Sequence, residues 1–219
     1  MATSKTAKNI LADMRKTVAE LYEKNLIRDY REESCKEKAN GIEEITFSGK
    51  ENSKCNIVYD KHISGKEMMK YLLNGLQYNI LLYDKSLIQA EFKIQNNVII
   101  KERLVFMKCH NKIWSYEEIK DCEELEQDWF SEEEGIPIVM RIDYAPEDHI
   151  EGNHAAAHLT LSNHQSCRVP IKGIITFSEF VRFILLHFYD ITLELKQCRS
   201  HTDDTITEIE KQMVHISWE

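Results

Sequence analysis

YNILLYDKSLIQAEFKIQNNVIIKERLVFMKC, from Tyr78 to Cys109, decides how this chain folds. It breaks twice, at Asp84-Lys85 and at Asn96-Asn97, residue pairs that suit short reversals. The pieces YNILLYD, SLIQAEFKI and NVIIKERLVFMKC are rich in β-branched and aromatic side chains, the composition of strands. Strands joined this closely predict an antiparallel meander. Their apolar-polar alternation is imperfect, so helices should cover one face.

Working outward, GKEMMKYLLNGL reads as a helix whose apolar face is Met68, Met69, Leu72, Leu73 and Leu76. Further upstream, Ile10, Met14, Val18 and Leu21 recur at helical spacing and predict a helix from Ser4 to about Tyr30. REESCKEKAN then reads as a charged, solvated end, and NGIEEITFSG and CNIVYDKHI as short strands. Downstream, YEEIKDCEELEQDWFSEEE (116–134) is strongly acidic and reads as a surface helix or loop. GIPIVMRIDYAP is a strand, HLTL is extended, and CRVPI ends at Pro170, which places it at an edge or a strand terminus. TFSEFVRFILLHFYD is the clearest helix. Thr176 and Glu179 make a capping box, and Phe177, Phe180, Val181, Ile184, Leu185, Phe188 and Tyr189 form a broad buried face. The tail TDDTITEIEKQMVHISWE reads as a last helix. The fold class is therefore α+β, an antiparallel sheet of about five to six strands packed against several helices. Residues 1–40 form an N-terminal helical segment, 41–192 the α+β core and 193–219 a helical tail.

Composition narrows the function. The net charge of -9 argues against a dedicated duplex-binding surface, leaving nucleic acid only a local pocket, and suits docking onto a more basic protein. None of the six cysteines forms a CxxC pair, so zinc-ribbon spacing is absent. The amphipathic N-terminus lacks the unbroken apolar core of a signal peptide, and no window reaches the roughly 18 apolar residues of a membrane span. A reducing cytoplasm with free thiols is the expected location.

Residues that can carry chemistry gather between 141 and 168: Arg141, Asp143, Tyr144, His149, His154, His158, His164, Cys167 and Arg168. On a strand, Arg141 and Asp143 share a face, as an ion pair or as an anion clamp beside a proton acceptor. If HAAAH were helical, His154 and His158 could share one divalent metal, with Asp143, His149, His164 or Cys167 as a further ligand, but the HExxH signature is absent. Without metal, two imidazoles can exchange protons with a phosphodiester held by Arg141 or Arg168. The same side chains can equally cross-link strand, loop and helix as a buried polar network. No P-loop, GxGxxG, GxSxG or kinase motif is present.

HAAAHLTLSNHQSCRVPI followed by TFSEFVRFILLHFYD resembles the bacterial domain-of-unknown-function 2290 family, whose pattern runs roughly HPxSHLTL, then CRIPV, then a helix ending in FIL and FY. The match falls on His154, His158, Leu159, Thr160, Leu161, Cys167, Arg168, Val169, Pro170 and the helix through Tyr189. MRIDYAP is similar to the family's R-x-DY strand, and DKSLIQAEFKI and ERLVFM to its S-x-x-Q and RL-x-F strands, which adds Ser86, Gln89, Arg103, Leu104 and Phe106. Ala155 stands where the family has Pro, and Ala157 where it has a small hydroxyl residue. The resemblance implies that the histidines lie on a loop-to-strand segment. It also implies a cytoplasmic prokaryotic protein, a component or accessory subunit of an anti-phage defence or toxin-antitoxin type system, acting through a partner encoded nearby. Two alternatives accompany it: a nuclease-like enzyme and a nucleotide or small-anion sensor. In the enzyme reading, His158 is general base or ligand, His154 general acid, Asp143 a further catalytic carboxylate, and Arg141 and Arg168 hold the phosphate.

Overall fold

A computed structural model describes residues 3–47, 65–108, 138–161, 167–194 and 204–217. Helix α1 (Lys5–Glu23) starts at Ser4, whose hydroxyl accepts from the Ala7 N–H, and buries Met14, Val18 and Leu21. Strands β1 (Ile27–Tyr30), β2 (Glu33–Glu37) and β3 (Glu43–Phe47) follow, then α2 (Gly65–Asn74). The decisive stretch gives β4 (Ile80–Leu82), β5 (Leu87–Gln95) and β6 (Val98–Lys108). Strands β7 (Ile138–Tyr144), β8 (Ala157–Leu161) and β9 (Arg168–Lys172), helix α3 (Phe177–Tyr189) and β10 (Ile216–Ser217) complete the order.

Among the described residues these make one ten-stranded sheet, ordered β1-β4-β5-β6-β7-β8-β9-β10. The fold is α+β with the sheet packed on helices, and the strand count exceeds the five to six expected. The excess arises because β5 is long enough to pair twice along one edge. Its start meets β4 and β1, and its end meets β3 and β2. All pairings are antiparallel except β9 with β10. The Asn96-Asn97 reversal has both residues at positive φ (52° and 64°), as a tight hairpin requires.

The period-two alternation of β5 to β8 divides the core. Ile88, Ala90, Phe92, Leu104, Phe106, Met140, Ile142 and Leu159 face α1 and α3. Leu87, Val105, Met107 and Val139 face the other way and are covered by Met68, Met69 and Leu72 of α2. Helix α3 begins with the expected capping box, Thr176 and Glu179 each bonding the other's backbone N–H. Phe177, Phe180, Val181, Ile184 and Leu185 on it are fully buried, each contributing about 1.5–3 kcal/mol.

Three segments differ from their sequence reading. The first helix stops at Glu23 and residues 27–30 turn back into β1. REESCKEKAN is not a solvated end: it contains β2, with Glu33 buried and bound by Arg15 Nε (2.7 Å) and the Tyr30 hydroxyl. In the tail, the described residues 204–217 hold one 3-10 turn at Glu210–Gln212 and β10 instead of an α-helix. Thr207 and Glu210 form a reciprocal cap there, a helix-start signal with no helix after it. Pro170 lies inside β9 and not at its end. It sits opposite His158 in β8, while β10 pairs only with Ile171 and Lys172 beyond it. The readings of CNIVYDKHI, of the acidic run 116–134 and of His164 lie outside the described residues. Among the described residues, no helix is long and apolar enough to cross a membrane.

Candidate functional site

The sheet register assembles the site. One cross-strand row runs Glu91, Arg103, Asp143, His158 over β5 to β8. The adjacent row on the same face runs Gln89, Val105, Arg141, Thr160, Arg168 over β5 to β9. Directly opposed residues on one sheet face stand about 4.5–5.5 Å apart at Cβ, so three arginines converge on Asp143 and His158.

Asp143 is the hub. Its Oδ1 accepts from Arg103 Nε at 3.0 Å, and its Oδ2 accepts from Arg141 Nε. The side chains of Asp143, Arg141 and Arg103 are 9%, 13% and 27% exposed, so the cluster is largely withdrawn from water and opens on the Arg103 side. His158 is buried, and its Nδ1 lies 3.0 Å from the Ala155 carbonyl oxygen. A carbonyl only accepts, so Nδ1 carries the proton and Nε2 of the neutral ring is bare. That nitrogen faces Asp143 Oδ2 at 3.7 Å, two acceptors across a gap longer than a hydrogen bond. Burial pushes the His158 pKa below its ordinary value. The Ala155 bond and Asp143 oppose this, while the neighbouring His154 and the Arg168 guanidinium add to it. The His154 ring centroid lies 4.8 Å from that of His158.

Two donors beside this cluster are left over. Among the described residues, Thr160 Oγ1 and Arg168 Nε are buried without a hydrogen-bond partner. Such groups cost about 1–3 kcal/mol each when unsatisfied, so they call for an occupant.

Arg141, Asp143, His158 and Arg168 are thus brought together, with His154 at the margin. Tyr144 is not among them: it faces the helices on the opposite side of the sheet. His149 is also elsewhere, with Nε2 3.2 Å from Glu210 Oε1. Cys167 is a free thiol just before Arg168 in β9. The i, i+4 helical metal geometry does not form, because His158 is on β8 and His154 in the preceding bridge with Ile150. Among the described residues, no three His, Cys, Asp or Glu side chains group to hold a metal.

Two buried features lacked a functional signal in the sequence. Asp84, at the β4–β5 turn, accepts from Lys108 Nζ (3.1 Å), Tyr189 OH (2.7 Å) and Ser86 Oγ (2.8 Å), tying α3 to the sheet end. Ser86 and Tyr189 of this set stood out through the family pattern, and Asp84 only as a turn residue. Glu102 is fully buried on the face toward α1 and α3, and neither carboxylate oxygen has a hydrogen-bond partner among the described residues. Burial, reinforced by Glu179 and Asp143, raises its pKa well above the usual carboxylate range.

The family model described as "Uncharacterized conserved protein (DUF2290)" matches residues 26–218, and the chain belongs to this family. Comparison with curated proteins and with solved structures gave no match.

Proposed function

We propose that this sheet face binds a phosphate-bearing anion, a nucleotide or a strand of nucleic acid entering a local pocket. The supporting observation is a pair of buried donors with no partner among the described residues, Thr160 Oγ1 and Arg168 Nε, beside Arg103 and Arg141. Guanidinium and hydroxyl donors are the usual partners of phosphate oxygens. The bare acceptor His158 Nε2 suits a ligand hydroxyl, which has one proton to donate. A ribose phosphate carries both groups next to each other. The nuclease-like role extends this reading: the bare His158 nitrogen supports a general base toward a ligand hydroxyl beside a phosphodiester, with His154 as general acid.

Thermal unfolding with inorganic phosphate, mononucleotides, and RNA and DNA oligonucleotides tests it, because a ligand of the native state raises the melting temperature. At least one should stabilise the wild type and leave Arg168→Ala unmoved. No stabilisation by any of them, or an equal shift in Arg168→Ala, refutes it.

A second reading is an accessory subunit of an anti-phage defence or toxin-antitoxin type system, acting through a partner protein. The net charge of -9 and the family resemblance support it. Co-purification with the product of a neighbouring gene tests that role.

A further inference from the structure

We propose that the surface formed by Ile150 and the 209–214 segment docks a partner segment with an aliphatic centre and basic flanks. This deepens the partner-dependent reading and rests on it. Ile150, Ile209, Met213 and Val214 are 59%, 50%, 41% and 84% exposed, a concentration of large apolar side chains in two short pieces of chain. Grouped apolar exposure on a folded domain marks an interaction site, whereas scattered single residues do not.

The two pieces are joined. His149 Nε2 meets Glu210 Oε1 at 3.2 Å, and a Cβ placed on Gly152 would lie 3.6 Å from Cγ2 of Ile209. Glu210 is fully buried, and its reciprocal bonds with Thr207 (2.9 and 3.2 Å) lock the turn that presents Ile209, Met213 and Val214. The apolar residues therefore stand on a fixed platform.

The rim selects the partner. Glu147, Asp148 and Glu151 are exposed on the Ile150 side, and Asp204 and Glu208 on the other. The nearby Lys211 ammonium is held by Glu208 (2.7 Å) and Asp204 (3.2 Å). A basic segment complements this rim. A second copy does not, because a two-fold contact sets the same acidic rim against itself.

Peptides displayed on phage would be selected against the full chain. They would then be measured by fluorescence anisotropy against Ile150→Asp/Val214→Asp and Glu147→Lys/Glu151→Lys. Both double variants change exposed side chains, and thermal melts matching the wild type would confirm their folding. Selected sequences should carry aliphatic residues flanked by Lys or Arg, and either variant should weaken binding at least about tenfold. Basic-aliphatic peptides that bind the Asp double variant as tightly as the wild type would overturn this surface and leave the partner reading standing. Acidic or neutral selected sequences would overturn the chemistry assigned to the rim. A concentration-dependent dimer in light scattering, abolished by Ile150→Asp/Val214→Asp, would assign the surface to a second copy instead. Absence of any selected peptide would count against both this surface and the partner reading.

Discussion

Replacing Asp143 by Asn tests whether the arginine cluster is a stressed anion cradle. The amide keeps the shape of the side chain and removes its charge. Arg103 Nε (3.0 Å) and Arg141 Nε then lose their common counterion. Removing one partner of a buried ion pair costs about 3–5 kcal/mol. Arg103 is 27% exposed and recovers some hydration, so the lower end, about 3 kcal/mol, is expected. That is a factor of roughly 150 in the folding constant. For a domain of this size it corresponds to a fall of about 6–12 °C in melting temperature. Urea denaturation of wild type and variant at neutral pH measures the difference. Repeating it in phosphate supplies the second readout, because an anion can take the place of the missing carboxylate. Phosphate should therefore stabilise Asp143→Asn more than the wild type. A variant within about 0.5 kcal/mol of the wild type would refute the hub role of Asp143, since that is the range of indifferent surface substitutions. Equal phosphate stabilisation of both proteins would refute the cradle.

Three further outcomes follow from buried groups. Glu102 has a folded-state pKa above its unfolded value, so its ionisation opposes folding as pH rises above the ordinary carboxylate range. Glu102→Gln should match the wild type in stability near pH 4 and become the more stable protein towards pH 8. A difference independent of pH would exclude that account. His158 has a lowered pKa, so its contribution runs the other way, with stability lost as pH falls below the usual imidazole value of about 6.5. Nitrogen NMR should find its proton on Nδ1 at pH 7 and a titration midpoint below that value; a proton on Nε2 would contradict the bare-nitrogen geometry. Asp84→Ala should cost about 3–5 kcal/mol by stranding the buried Lys108 ammonium, and Tyr189→Phe about 1 kcal/mol for one lost hydrogen bond, both read by urea denaturation. Equal costs for the two would show that Lys108 is not dependent on Asp84.

Local signals determined much of this protein. Turn pairs at Asp84-Lys85 and Asn96-Asn97, the alternation through β5 and β6, and the Thr176 to Glu179 cap each act within a few residues, so they are readable along the chain. Period two also placed Arg141 and Asp143 on one face. The tertiary structure decided what that face meets. Register across β5 to β9 selects Arg103 and Thr160 as neighbours and turns Tyr144 to the other side, and these pairings join residues as far apart as Glu102 and Tyr144. Thr207 and Glu210 show the converse: a valid local helix signal is overridden when Glu210 is drawn inward against His149 and the chain returns to pair with β9. Cross-strand pairing is fixed by which apolar faces can be buried together, a property of the assembled sheet that no single segment contains.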